Sequence, residues 1–144
     1  MATFNSLLQI AHASEHKIGQ YFSKFGSIQF SPRNSAFKLY DFKLTNDIGI
    51  ETWYEVKTLT QFDRYKDILV RDKLNGEFVL FTAHYYIFDL AKHGYYKIPT
   101  ISLLELINNK KYYRVLEDQG LANNTDVLVF DWNRVKDRFE KLDI

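Results

Sequence analysis

Two carboxylates and an amine are predicted to lie close together in the middle of the chain. Asp41 is followed, after a short turn-like segment, by Glu55 and Lys57 within a strongly apolar stretch. Alternate residues of a strand project to one side, so Glu55 and Lys57 share a face, and Asp41 can join them from an antiparallel neighbour at about 5 Å. Such carboxylates repel each other, whereas a divalent cation with oxygen ligands turns the repulsion into coordination. A metal site is therefore one prediction.

The elements that position these side chains are predicted from the spacing of apolar residues. Three- and four-residue spacing predicts an amphipathic helix over residues 4–25, which ends before Gly26 and carries Glu15. A short or edge strand is predicted at SIQF. Residues 36–58 then predict two antiparallel strands joined by a loop at TNDIG. This hairpin would hold Asp41 and Glu55 side by side.

The remaining elements are predicted in the same way. Strands are expected at YKDILV, EFVLFTAHYYIFDL, YYKIP and DVLVF, with a hairpin turn at Asn75-Gly76. One helix is expected at TISLLELINNK, capped by Thr100 or Ser102, and another at WNRVKDRFEKL. The apolar stripe of that last helix comprises Trp132, Val135, Phe139 and Leu142. The order of elements predicts an α/β (α+β) fold, a single domain over residues 1–144 with a central mixed β-sheet flanked by helices.

The order of acidic residues along these elements resembles the PD-(D/E)xK, or restriction-endonuclease-like, nuclease superfamily. A glutamate in the first helix, Glu15, precedes an aspartate on one strand, Asp41, and Glu55-Val56-Lys57 on the next. The resemblance implies a Mg²⁺-dependent nuclease, with Mn²⁺ as a substitute, that hydrolyses phosphodiester bonds of nucleic acid, DNA above all. It implies that Asp41, Glu55 and the Val56 carbonyl hold the metal. It also implies that Lys57 orients or deprotonates the attacking water and that Glu15 completes the acidic cluster.

Residues after the motif extend the expected site. In this superfamily a polar residue shortly after the lysine often assists, which makes Gln61 a candidate on resemblance. The neighbouring cationic residues are candidates for binding phosphates: Arg64, Lys66, Arg71 and Lys73. YEVKT, HYYIFDL and YYKIPTISLLELI also resemble small nuclease-like proteins of bacteriophages and other viruses. Adjacent tyrosines such as Tyr85 and Tyr86 are expected to place one ring in the core and one outside it.

Several observations leave other interpretations open. Tyr40 stands where the superfamily has proline, and Glu51 has the same strand parity as Glu55, so it competes for the role of ligand. An acid, any residue and lysine also occur at 15–17 and 41–43, so the tripeptide alone is weak. The charges can instead be solvated side chains with ordinary cross-strand pairing. The alternative function is a non-catalytic nucleic-acid-binding or assembly module with the same fold.

Composition limits the classes of protein that remain. The 144 residues contain no cysteine, which is compatible with a reducing compartment and excludes thiolate metal sites. No signal peptide and no run of ~18 apolar residues is found, so a soluble protein of the cytoplasm, or of the host cytoplasm if viral, with no membrane association is expected. A Gly-rich phosphate loop and a G-x-S-x-G elbow are both missing. A homodimer would supply the two sites that cutting both strands requires.

Overall fold

The computed structural model describes residues 4–31, 40–72, 83–116 and 126–144. Its helices are α1 (Phe4–Phe22), α2 (Phe62–Tyr65), α3 (Thr100–Ile107) and α4 (Trp132–Val135), with 3-10 turns at Ser23–Phe25, Ala91–His93, Lys110–Tyr112 and Lys136–Arg138. Its strands are β1 (Ser27–Phe30), β2 (Phe42–Thr45), β3 (Glu51–Thr58), β4 (Asp67–Asp72), β5 (Tyr85–Asp89), β6 (Tyr95–Pro99), β7 (Tyr113–Leu116), β8 (Asp126–Asp131) and β9 (Glu140–Leu142). The mixed α/β single domain is as predicted.

Two sheets are formed by the described strands. The larger has the order β1-β2-β3-β5-β6-β9, and the smaller has the order β4-β8-β7. All neighbours pair antiparallel except β3 and β5, which are parallel. The predicted central mixed sheet is therefore the larger one, and β3, which carries the acid-x-Lys motif, lies inside it.

The predicted hairpin of β2 and β3 is confirmed, and Asn46 organises its loop. The Asn46 side-chain oxygen accepts hydrogen bonds from the backbone N–H groups of Ile48 (3.1 Å) and Ile50 (2.9 Å). Gly49 supplies the left-handed conformation that the turn needs, with φ at 84°. Such local bonding fixes the register of the hairpin, which pairs Phe42 with Tyr54.

Helix α1 covers one face of the larger sheet. Its buried side includes Ile18 and Phe22, which pack in one cluster with Tyr54 and Val56 of β3. A Cβ on Gly19 would lie 2.5 Å from the Phe30 ring, so glycine lets α1 approach β1 closely. The β3 side chains that contact α1 thus lie on the face opposite to Glu55 and Lys57.

The smaller sheet and α3 cover part of the opposite face. The fully buried Tyr86, Phe88 and Ile98 of the larger sheet share a core with residues of the smaller sheet and α3. Those partners include Ile68, Val70, Leu103, Leu106, Leu128 and Phe130. This second core leaves the β2 side of the face less covered, where Lys43 and Trp53 are only half-buried.

The predicted C-terminal helix is wrong. Helix α4 makes a single turn, a 3-10 turn follows, and residues 140–142 form β9 against β6. A continuous helix would place Phe139 and Leu142 on one stripe, but they enter the two different cores on opposite faces of the sheet. The open edge of β6 offers backbone hydrogen bonds that a strand can take and a helix cannot.

Other predicted details also change. Strand β2 begins at Phe42, after Tyr40 and Asp41, and strand β7 was not predicted. Neither predicted cap holds, because Pro99 precedes the first turn of α3 and makes no side-chain cap. The predicted turn at Asn75-Gly76 lies outside the described residues. In the described parts of the chain, no helix has the length and apolar character needed to cross a membrane.

Candidate functional site

Asp41 lies at the point where the ladder between β2 and β3 ends. Its backbone N–H donates to the Tyr54 carbonyl at 2.9 Å, and its carboxylate Oδ2 accepts from the Val56 N–H at 2.6 Å. The residue is only 3% exposed. The carboxylate therefore takes the place that a backbone carbonyl would have in a continuing ladder, which satisfies a strand N–H that would otherwise lack a partner here.

Glu55 lies next to this position, on the face of the sheet opposite α1. Its register partner on β5 is Tyr86, so the two side chains project to the same face. Burial raises the pKa of the Tyr86 hydroxyl, and the charges of Glu55 and Asp41 raise it further. Two carboxylates therefore lie close enough to one buried hydroxyl to act on its ionisation, and that hydroxyl keeps its proton at ordinary pH.

The Val56 carbonyl is oriented toward the same edge of β3 as Asp41. The N–H and C=O groups of one strand residue point to the same neighbouring strand, and the Val56 N–H points to Asp41. Asp41, Glu55 and this carbonyl together offer hard oxygen donors. Mg²⁺ accepts such donors and is often held by one or two carboxylates plus water. Within the described ranges, no group of three or more acidic or histidine side chains that could hold a metal is found.

Lys57 follows Glu55 on the same face of β3. It is exposed, and its register partner on β5 is the buried Phe88. Within the described part of the chain it takes part in no ion pair. Its amine is therefore accessible to a ligand from solvent, on the side of the strand where Glu55 projects.

Glu15 lies in a different environment from the other candidate site residues. It is half-buried on α1, and α1 packs on the face that carries Tyr54 and Val56. Glu55 and Lys57 project from the opposite face of the same strand. The contribution of Glu15 to an acidic cluster stays a prediction.

The competition between Glu51 and Glu55 has a geometric answer. Glu51 pairs in register with Thr45 at the far end of the hairpin, and its carboxylate bonds the Lys43 amine at 2.9 Å. That hydrogen bond and the charge of Lys43 lower the pKa of Glu51. Glu55, and not Glu51, is the glutamate beside Asp41.

The polar and cationic residues after β3 do not form one group with the carboxylates in the contacts described. Gln61 is exposed at the start of α2, and the Arg64 guanidinium lies 5.2 Å from the Tyr65 ring centre. The Lys66 amine lies 2.9 Å from His93 Nε2 and 4.0 Å from Asp63. Arg71 is in β4, and Lys73 lies outside the described residues. Their role in binding phosphates stays a prediction.

Three residues near the carboxylates escaped sequence reasoning in this role. Of Tyr85 and Tyr86, one ring was expected in the core and one outside it. Tyr86 is buried at 2% exposure, whereas Tyr85 is half-buried against the core beneath α1, and the position of Tyr86 as a neighbour of Glu55 was not expected. His84 Nδ1 accepts from the Trp53 N–H at 2.9 Å, and the His84 N–H donates to the Trp53 carbonyl at 2.8 Å. Only the parallel pairing of β5 with β3 creates these contacts, and residues so distant in sequence gave no local pattern for it.

Comparison with known proteins adds no relative. The chain matches no protein-family model, no curated protein and no solved structure.

Proposed function

We propose that this protein is a metal-dependent nuclease that hydrolyses phosphodiester bonds of nucleic acid, with DNA as the preferred substrate. One observation carries the proposal: the Asp41 carboxylate accepts a hydrogen bond from the Val56 N–H at 2.6 Å, which places it beside Glu55 on the neighbouring strand. Lys57 extends from the same face two residues later. Mg²⁺ is commonly held by one or two carboxylates together with water, which is the chemical reason for assigning Asp41 and Glu55 to a metal.

The roles follow from the positions. Asp41, Glu55 and the Val56 carbonyl would hold Mg²⁺, or Mn²⁺ in its place, and the ion when bound would neutralise charge on the phosphate. Lys57, which is exposed, would orient the attacking water or take its proton. Tyr86, the register partner of Glu55 on β5, would be a positioning residue, because its protonated hydroxyl lies on the same face and can donate to a carboxylate. Glu15, on α1 at the other face of β3, and the exposed Gln61 are assigned assisting roles from the resemblance alone and not from their positions.

A second candidate function is a non-catalytic nucleic-acid-binding or assembly module. The observation that favours it is the hydrogen bond from Val56 to Asp41, which gives the buried carboxylate a structural role without any metal. On this hypothesis the acidic positions stabilise the hairpin, and Lys57 and its neighbours contact phosphates as point charges.

Cleavage of labelled linear, circular, single-stranded and junction DNAs distinguishes the two functions. The wild type, Lys57→Ala and Lys43→Ala are compared with Mg²⁺, with Mn²⁺ and with EDTA. Lys43 is the matched control, since it lies on the neighbouring strand and is paired with Glu51. If the protein is a nuclease, the wild type and Lys43→Ala should cut DNA in a metal-dependent reaction, and Lys57→Ala should not. A folded wild type that binds DNA but cuts none of the substrates would support the non-catalytic module instead.

A further inference from the structure

A cavity of about 470 Å³ opens at the end of the strand that carries the motif. Its described lining begins at Thr58, the residue after Lys57, and continues through Phe62 and Tyr65 to the smaller sheet. The sheet contributes Leu69, Leu116 and Val129, together with Asp67 and Arg114. This volume is within the range of small-ligand sites, which is about 300–1,000 Å³. The cavity is distinct from the carboxylates, which lie further back along β3.

The polar groups of the cavity are arranged around an ion pair. Arg114 and Asp67 come from β7 and β4, the two outer strands of the smaller sheet, and their side chains meet at 3.5 Å across β8. Burial raises the pKa of Asp67, Arg114 lowers it, and the nearby Asp131 raises it again. The Thr58 hydroxyl oxygen is buried and has no hydrogen-bond partner among the described residues. The apolar lining thus adjoins a hydrogen-bond donor, Arg114, an acceptor, Asp67, and the unsatisfied Thr58 hydroxyl.

The charges and the lining define the chemistry of the occupant. The Arg114 guanidinium is already paired with the Asp67 carboxylate, and the charge of Asp131 acts on Asp67 as well, so the cavity offers no uncompensated positive charge to a phosphate or another anion. The apolar side chains favour a flat hydrophobic body. A carboxylate accepts from ring N–H or amino groups, while a guanidinium donates to a carbonyl or ring nitrogen, and nucleobases carry both kinds of group on one edge. An uncharged heteroaromatic ring fits this description better than a sugar or a phosphate.

We propose that this cavity binds a nucleobase of the substrate strand, with its ring against the apolar lining and its polar edge at Asp67 and Arg114. The choice of a nucleic-acid occupant rests on the proposed function. The cavity begins at Thr58, the residue after Lys57, so it would hold a base of the same strand whose phosphate the carboxylates bind. The cavity then contributes base preference, which phosphate contacts do not.

Calorimetric titration with free nucleosides tests the cavity separately from cleavage. The full chain is titrated with adenosine, guanosine, cytidine and thymidine in EDTA, so no metal at Asp41 and Glu55 is needed. Leu69→Trp fills the cavity, and Val115→Trp adds the same ring at a residue outside the described lining; both positions are exposed, at 39% and 48%, and should tolerate the change. Asp67→Asn removes the acceptor charge while it keeps the shape.

The expected result is saturable binding of at least one nucleoside by the wild type. Leu69→Trp should abolish it, Val115→Trp should retain it, and Asp67→Asn should weaken it about tenfold, as expected for a lost hydrogen bond to a charged group. Failure of every nucleoside to bind, or equal binding by Leu69→Trp, would overturn the proposal. The titration is made in EDTA at a cavity whose described lining does not include Asp41 or Glu55, so a protein that cuts DNA but binds no nucleoside refutes the cavity and not the nuclease.

Discussion

The Asp41 carboxylate accepts a hydrogen bond from the Val56 N–H at 2.6 Å, between residues that are 15 positions apart. The bond joins the first acid of the motif to the middle residue of Glu55-Val56-Lys57. A carboxylate has acceptor sites on both oxygens, so one bond to the backbone still leaves capacity for a second partner. The same side chain can therefore both close the hairpin and serve as a metal ligand.

Replacement of Asp41 should separate its structural role from its charge. Asp41→Ala leaves the Val56 N–H without its acceptor in a site that is 3% exposed, so the free energy of unfolding should fall by about 1–3 kcal/mol. Asp41→Asn keeps a side-chain oxygen acceptor and should lose less. Urea unfolding of both variants measures the difference. Equal losses would mean that the hydrogen bond is not what stabilises the hairpin.

Divalent metal should stabilise the folded protein through Glu55 and not through Glu51. Mg²⁺ at one hundred times its Kd adds about 2.7 kcal/mol to the free energy of unfolding, if the unfolded chain does not bind it. Glu55→Gln should remove the resulting rise in Tm. Glu51→Gln makes the same change on the same strand, but its carboxylate pairs with Lys43, so the rise should remain. A rise in Tm that survives in Glu55→Gln would refute the assigned ligand.

Alkaline pH should destabilise the protein through its buried tyrosines. Burial first, and then Tyr85 and Glu140, raises the pKa of Tyr54 to about 12, and the pKa of Tyr86 is also raised. The unfolded tyrosine loses its proton near pH 10, before the folded one, so stability is complete below pH 10 and falls as pH rises. Tyr54→Phe should remove the part of this fall between pH 10 and about 12.

Tyr86→Phe gives the corresponding result beside the carboxylates. Its curve of unfolding free energy against pH, measured by denaturant unfolding, should be flatter than that of the wild type above pH 10, because one proton fewer is released on unfolding. Should the two curves coincide in slope, Tyr86 would not be a tyrosine with a raised pKa, and its proximity to Asp41 and Glu55 would be in question.

Asp67→Asn should stabilise the folded protein at neutral pH, although it weakens nucleoside binding in the cavity. A raised pKa means that folding favours the protonated carboxyl, so the charged form costs stability at pH 7. The gain should be below about 1 kcal/mol because the side chain is partly solvated. It should vanish as pH falls below the usual range of an aspartate. Thermal unfolding from neutral to acid pH measures this, and a less stable variant at pH 7 would contradict the expectation.

Leu142→Ala tests the placement of β9. Leu142 is 7% exposed in the core beneath α1, so its truncation should cost about 2–5 kcal/mol in unfolding free energy. Ile144→Ala, at a residue 39% exposed, should change stability by less than about 0.5 kcal/mol. Similar small effects for both would mean that the C-terminal segment does not pack on the sheet.

Local pattern in the sequence was sufficient for the α/β class, for α1 and for the hairpin of β2 and β3. These elements depend on spacing and turn chemistry within a few residues, such as the Asn46 loop and the apolar side of α1. The hairpin brought Asp41 near Glu55 because antiparallel neighbours are close in sequence. Geometry then separated Glu55 from Glu51, which strand parity alone could not do.

Tertiary structure alone decided the rest. The parallel pairing of β5 with β3 places Tyr86 beside Glu55 and His84 beside Trp53, and pairing between distant segments leaves no local periodic trace. Phe139 and Leu142 have helical spacing, yet the free edge of β6 and two separate cores made the segment a strand. Some charged side chains face a possible ligand, and others, such as Asp41, bond the backbone. Contacts across the sheet decide between these roles, and such contacts exist only once the chain has folded.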